Sequence, residues 1–284
     1  MRSYRKLKEF QNVVAGQIAA VDLPTDRRYH AVKISFEAGG ALAKRAVMEE
    51  KIKLIRVLLD GRAQWELTAK ELFAILDLNG YPIQDGIIPL CFSEPWREST
   101  SGQDQTAWSL KGTGITDFNI ELTLADDVKS PRLEAYADYD RMAVGGATGR
   151  PDLGFIRKII RRQIPVSATG IHTEPDVPAI GNLQALYCFE GAKGDIARIK
   201  LDRDGETIVD IPRHINDEPL KAYGATVPDQ VFALRMDKEQ RQSLNLGNQV
   251  LTNGVPRRVP TQFEFTMTKA TPFYAVYSYV GGRN

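Results

Sequence analysis

Histidine and cysteine are nearly missing from this chain: 284 residues carry three histidines and two cysteines. His30, His172 and His214 stand far apart, and none recurs at the period of the internal repeat described below. A metal held by paired histidines and a carboxylate therefore has no ligand set here. Cys91 and Cys188 give no disulfide framework, and two buried thiols in a reducing compartment are expected. Charge of one sign is also lacking. Lys and Arg number 37 against 36 Asp and Glu, net +1, so no global field gathers nucleic acid and no sequence-specific nucleic-acid partner is expected. No apolar run approaches the ~18 residues that cross a bilayer. The basic N-terminus is not followed by an apolar core, so no secretory signal is read and folding in the cytoplasm of a host cell is expected.

What is present is an ordinary globular composition, 43% apolar and 26% charged, arranged as a repeat. Ile52 to Phe92 is matched without a gap by Ile196 to Met236. Asp60-Gly61 falls on Asp204-Gly205, an offset of 144. At that offset Ile55 meets Ile199, Leu67 meets Ile211, Leu76 meets Leu220, Gly80 meets Gly224 and Leu90 meets Leu234. The offset is close to half the length, as for two copies of one fold in tandem. A domain of about 150 residues buries roughly 68–70% of the surface of its unfolded chain, enough for a core in each half.

The first copy opens MRSYRKLKEF. Arg2, Arg5, Lys6 and Lys8 form a short basic arm, either a solvated terminus or an arm touching an acidic surface such as phospholipid or a neighbouring subunit. Strands are predicted over Gln17–Leu23 and Tyr29–Glu37, the second with Val32, Ile34 and Phe36 on one face. A helical connection is predicted over Ala38–Glu50. Lys53–Leu59 and Arg62–Leu67 read as a hairpin closed by Asp60-Gly61, a dipeptide suited to a type I′ turn. Thr68 and Glu71 form a capping box before a helix bearing Leu72, Ile75 and Leu76, and Asn79-Gly80 stops it. Strands follow over Ile87–Phe92, Phe118–Leu124 and Leu133–Tyr139. The polar segment Ser93–Gly114, with Trp96 and Trp108, reads as a long ordered loop.

Met142–Gly154, MAVGGATGRPDLG, is the best linker. Beyond it Gln163-Ile164 echoes Gln17-Ile18, QALYCFE echoes AVKISFE, and FEFTM at Phe263–Met267 matches IELTL at Ile120–Leu124. The second helix is expected to be shorter because of Pro212 and Pro219. Each half then supplies about eight short strands with one helix in the middle, the content of a jelly roll. The predicted fold is all-β: two tandem eight-stranded jelly-roll barrels, residues 1–141 and 155–284, joined by a linker at 142–154.

A catalytic constellation is hard to find. Asp202-Arg203-Asp204-Gly205-Glu206 lacks the third ligand and closing Glu of a calcium loop, and reads as a turn. Gly145–Gly149 lacks the Lys-Ser/Thr of a phosphate loop. Neither a GxSxG elbow nor a Cys–His pair in recognisable context occurs. The acidic pairs Asp126-Asp127 and Asp138/Asp140 read as solvated strand ends rather than glycosidic acids. No catalytic, cofactor-binding or metal residue is therefore assigned. Ile156–Ile164, IRKIIRRQI, is the sharpest local charge feature. As a helix it would set isoleucines against arginines in a membrane-surface pattern. As the start of a strand it would make a barrel or subunit contact, and a nucleic-acid contact would need more interleaved aromatics.

The opening MRSYRKLKEFQNVVAG, the IRVLLDGR hairpin, the basic segment at Arg157–Arg162 and the second hairpin at Asp204-Gly205 together resemble one family. It is the major capsid proteins of tailless icosahedral phages with an internal membrane, of the corticovirus type. The resemblance spans nearly the whole chain. It implies a double jelly-roll coat protein without enzymatic activity, located in the virion capsid. It further implies homotrimers that form pseudo-hexagonal capsomers, and contacts with other capsid proteins such as a vertex protein. Contact with the internal membrane would run through the N-terminal arm, so that removing Met1–Lys8 is expected to leave the trimer intact but weaken particle assembly on vesicles. Structural Ca2+ at subunit contacts is implied for relatives, with no ligands identifiable here. Ser93–Gly114 and Gln242–Pro260 are the expected outer loops. A reading from another class is a carbohydrate- or receptor-binding β-sandwich of a phage particle, which would need Trp96 and Trp108 exposed.

Overall fold

A computed structural model describes residues 2–142, 151–175, 177–222, 224–237, 244–245, 249–252 and 255–282. The chain divides into two compact units. Unit 1 comprises Met1–Leu76, Tyr81–Ile160 and Gly281–Asn284, and unit 2 comprises Asp77–Gly80 and Arg161–Val280. Residues 143–150 of the expected linker, with the Gly145–Gly149 run, lie outside the described residues, as do parts of the expected outer loop at 242–260.

Unit 1 contains β1 (Ser3–Lys6), β2 (Ile18–Asp22), β3 (Arg28–Ala38), β4 (Ala41–Leu42), α1 (Arg45–Lys51), β5 (Ile52–Leu59) and β6 (Arg62–Leu67). It continues through α2 (Ala69–Leu78), β7 (Ile87–Cys91), α3 (Thr100–Asp104), β8 (Trp108–Ser109), β9 (Phe118–Leu124) and β10 (Arg132–Asp140). One sheet runs β1-β10-β3, with β4, β7 and β8 also paired to β3; the other runs β2-β9-β5-β6. Strand alternation is the reason for this arrangement. Phe118, Ile120, Leu122 and Leu124 of β9 are all buried while the residues between them are half-exposed. Val32, Ile34 and Phe36 of β3 are fully buried. Trp65, Phe92, Trp108 and Phe118 form a contiguous aromatic core, with the Phe92 and Trp108 centroids 4.5 Å apart.

Unit 2 is entered through β11 (Ile156–Ile164), whose first residues belong to unit 1. It holds β12 (Gly170–Glu174), β13 (Asn182–Phe189), β14 (Ile196–Arg203), β15 (Glu206–Pro212), α4 (Arg213–Ala222) and β16 (Val231–Arg235). It then holds β17 (Leu244–Asn245), β18 (Gln249–Thr252), β19 (Val255–Arg258), β20 (Thr261–Met267) and β21 (Phe273–Gly281). Its sheets run β16-β13-β21-β11, with β17 also on β13, and β12-β20-β14-β15; β18 and β19 form a separate hairpin. Leu186, Phe232 and Tyr277 from the first sheet share one core with Ile199, Leu201 and Phe263 from the second.

Each unit is thus a jelly roll of two sheets over a shared core rather than a closed barrel. The hairpins form as predicted. Asp60 and Gly61 take φ of 46° and 73°, and Asp204 and Gly205 take 52° and 82°, the pair of positive angles a type I′ turn requires. The capping box also forms. Thr68 N–H donates to Glu71 Oε2 at 2.7 Å, and Glu71 N–H donates to Thr68 Oγ1 at 3.2 Å.

Four expectations need correction, and one open alternative is decided. The second helix is not shortened: α4 and α2 each have ten residues, with Pro219 inside α4. Pro212 precedes the helix, where no N–H is needed, and Pro219 removes a single bond. Both helices close alike, with Tyr81 N–H donating to Leu76 O at 2.9 Å and Ala225 N–H to Leu220 O at 3.0 Å. The basic arm is neither frayed nor free, since Ser3–Lys6 pair antiparallel with Tyr136–Tyr139. Of the two alternatives for Ile156–Ile164, the strand is formed and the amphipathic helix is not. Ser93–Gly114 is not one loop, because it contains α3 and β8. Finally, the counterpart of Ile18 is Ile171 rather than Ile164. Ile18 pairs with Thr123 and Ile171 with Thr266, two threonines at the same place in IELTL and FEFTM.

Candidate assembly surfaces

The N-terminal strand is anchored through a buried charge cluster. His30 and Asp140 are almost fully buried, on the neighbouring strands β3 and β10. Arg2 can only donate, so His30 Nδ1 accepts from its guanidinium at 2.9 Å. His30 Nε2–H then donates to Asp140 Oδ2 at 2.8 Å. Arg28 donates to Asp140 through Nε at 3.1 Å and Nη2 at 2.6 Å, and Met142 N–H donates to Asp140 Oδ1 at 2.8 Å. Burial alone would raise the Asp140 pKa; the donors Arg28, His30 and Met142 N–H outweigh it and hold the carboxyl at about 2. Asp104 of α3 accepts from Arg2 and completes the cluster. The rest of β1 is open: Tyr4, Arg5 and Lys6 are exposed, Tyr4 at 55%. Among the described residues β1 pairs only with β10.

The outer edge of β6 is covered within unit 1 by the first residues of β11. Ile159 pairs with Trp65 in parallel. Trp65 Nε1–H donates to Arg157 O at 2.6 Å. The buried Arg157 guanidinium donates to Cys91 O at 2.8 Å and lies 4.9 Å over Trp65 and 5.1 Å over Trp96. Lys158 beside it is also buried, and burial lowers its pKa to about 8. The edge of a sheet is closed here by one backbone bridge and one sandwiched guanidinium.

In unit 2 the corresponding edge is bare. Among the described residues β15 pairs only with β14. Glu206, Thr207 and Ile208 are exposed, Ile208 at 41%. The hairpin is held from the other side. Arg198 and Asp210 form a two-pronged pair, and Lys200 bonds Asp202 at 2.6 Å. The capping box of α2 has no copy in α4, whose matching positions are Pro212 and Ile215. Arg213 at the start of α4 instead pairs with the buried Glu190, whose other oxygen accepts from Ile196 N–H at 2.6 Å.

The remaining candidate residues fall into structural places. Trp108 is completely buried and Trp96 is half-buried under Arg157, so these two tryptophans do not supply the exposed rim that a sugar-binding surface would need. Among the described residues no three His, Cys, Asp or Glu side chains gather as a metal-holding group. His172 lies on β12 and His214 is exposed on α4. Asp127 pairs with Lys51 at 2.6 Å, and Asp140 belongs to the cluster above. Asp126 is exposed and Asp138 half-buried on β10. Cys91 and Cys188 are free and buried, and burial raises the Cys91 thiol to about 11 and pushes Cys188 upward too. The roles of Trp65 and Arg157 are not evident in the sequence pattern by itself. For His30 a signal exists, since it precedes Val32, Ile34 and Phe36 in the inward alternation of β3.

Family models of the viral coat protein P2 N-terminal and C-terminal domains match residues 4–140 and 156–282. No curated protein matches the sequence. The fold is similar to the crystal structure of the major capsid protein P2 from Bacteriophage PM2, with TM-score 0.80 and 19% identity over 100% of this chain and 98% of that one. It is similar to a chain in the atomic structure of Sulfolobus Turreted Icosahedral Virus, with TM-score 0.68 and 11% identity over 98% and 90%. A chain of the PBCV-1 virus capsid gives TM-score 0.65 and 10% identity over 99% and 93%.

Proposed function

Because the chain belongs to the viral coat protein P2 family, we propose that this capsid protein is the tile of an icosahedral bacteriophage shell over an internal membrane. Three chains form a homotrimer. Each chain contributes two jelly rolls, 1–141 and 155–284, joined at 142–154, so a three-fold assembly presents six near-equal faces and packs as a hexagon. The single observation that carries this reading is the tandem match of both coat-protein domains to the two jelly-roll halves.

The role is structural, without turnover of a substrate. The partners are further copies of the trimer and other capsid components such as a vertex protein. No helix of the described residues is long and apolar enough to cross a membrane. Lipid contact would therefore run through surface side chains, with the exposed Arg5 and Lys8 of the N-terminal segment as candidates. Native mass measurement of the purified chain tests the reading. The expected species is three times the 31.7 kDa chain, about 95 kDa. A stable monomer at micromolar concentration overturns it.

A further inference from the structure

β1 and β11 are the same strand in the two copies. β1 pairs with β10 as β11 pairs with β21, and β2 pairs with β9 as β12 pairs with β20. The Ile18–Ile171 equivalence sets the offset of these early strands at 153. One residue from that offset, Tyr4-Arg5-Lys6-Leu7 coincides with Ile156-Arg157-Lys158-Ile159. The two basic stretches, unrelated at first sight in the sequence, are thus counterparts.

β6 and β15 are counterparts too, at the offset of 144 that sets Trp65 on Val209. In unit 1 the edge of β6 is covered by Ile156–Ile160. In unit 2 the edge of β15 is open, and in unit 1 the outer edge of β1 is open, among the described residues. Both halves of a contact that is made once in the chain are therefore present a second time, unmade. The uncommitted charges are opposite in sign. Lys6 is engaged by Glu134 at 3.0 Å and Asp210 by Arg198, which leaves exposed Arg5 on one strand, with exposed Lys8 just beyond its end, and exposed Glu206 on the other.

We infer that the open edge of β15 receives residues 3–7 of a second copy of this chain, in parallel. Leu7 would then stand against Val209 as Ile159 stands against Trp65. Main-chain hydrogen bonds supply such strand addition, and the side chains set its register. Each copy gives one strand and takes one, a head-to-tail contact that closes when the copies form a ring. The inference rests on the self-association proposed above. It replaces the expectation that residues 1–8 are dispensable for the trimer.

The test is a cysteine pair, Leu7→Cys with Val209→Cys, in the full chain under mild oxidation. Paired strand positions fall within the 4.4–6.8 Å Cα separation of a disulfide. Covalent dimers and trimers are expected from the double variant, covalent dimers only from co-assembled single variants, and none from either single variant alone. Persistent trimers by native mass without cross-linked chains overturn the inference while the trimer reading stands. Cross-linking confined within one chain also overturns it, and a monomeric native mass overturns the trimer reading itself. Hydrogen exchange on the unaltered protein gives an independent readout. Amides of 3–7 and 206–211 should exchange at least tenfold slower in the oligomer than after dilution to monomer, and equal rates contradict the inference.

Discussion

Asp140 is a buried residue through which pH acts on unit 1. Its folded-state pKa of about 2 lies below the ordinary value of 3.8. The stabilisation is therefore complete above the ordinary value and is lost as pH falls through about 2. The contribution is about 2 kcal/mol. Asp140→Asn should lower stability by roughly that amount at pH 7, with the gap closing toward pH 2. Denaturant unfolding across that range checks it; a gap independent of pH contradicts the role given to the carboxylate. Lys158 acts in the opposite sense. Its pKa is lowered to about 8 by burial, so the charged form costs stability fully below pH 8. That cost fades as pH rises toward 10.5, where the unfolded lysine also loses its proton. Lys158→Met should raise stability at pH 7 by about 3 kcal/mol, and the gain should shrink by pH 10. In the sequence Lys158 is only one of four basic residues in a row of nine. Its burial depends on which strand it joins, and that is decided by the distant edge of β6.

At the scale of elements, local chemistry was legible and pairing was not. The Asp-Gly turns, the Thr68–Glu71 box and the Gly80 stop were readable because each is set by residues within one turn of chain. The β1 and β11 equivalence is hidden because the sequences IRKIIRRQI and FQNVVAGQI align more closely than their strands do in space. Register is fixed by long-range pairing partners that no local pattern contains. The two helices also solve the same problem differently. Thr68→Ala should cost about 1 kcal/mol through the lost cap of α2. Arg213→Met should cost about 3 kcal/mol, since Glu190 stays buried with its charge unpaired. Thermal melting of both variants checks the order, and an equal or reversed cost would contradict the account of α4. Gly205→Ala should strain the second hairpin by about 1 kcal/mol, its φ being 82°.

For the whole molecule, duplication is the functional feature. One jelly roll per chain would give a three-fold unit three equal faces, whereas two give it six. Trp108 packs in the core of unit 1, and the Asp140 carboxylate pairs with Arg28 beside the strand edge that β1 joins. The most direct measurement is an electron-microscopic reconstruction of the purified oligomer at a resolution that separates domains. Six lobes of similar size, alternating in two kinds around a three-fold axis, are predicted. An isolated two-lobed particle, or a ring without three-fold symmetry, would contradict the central claim.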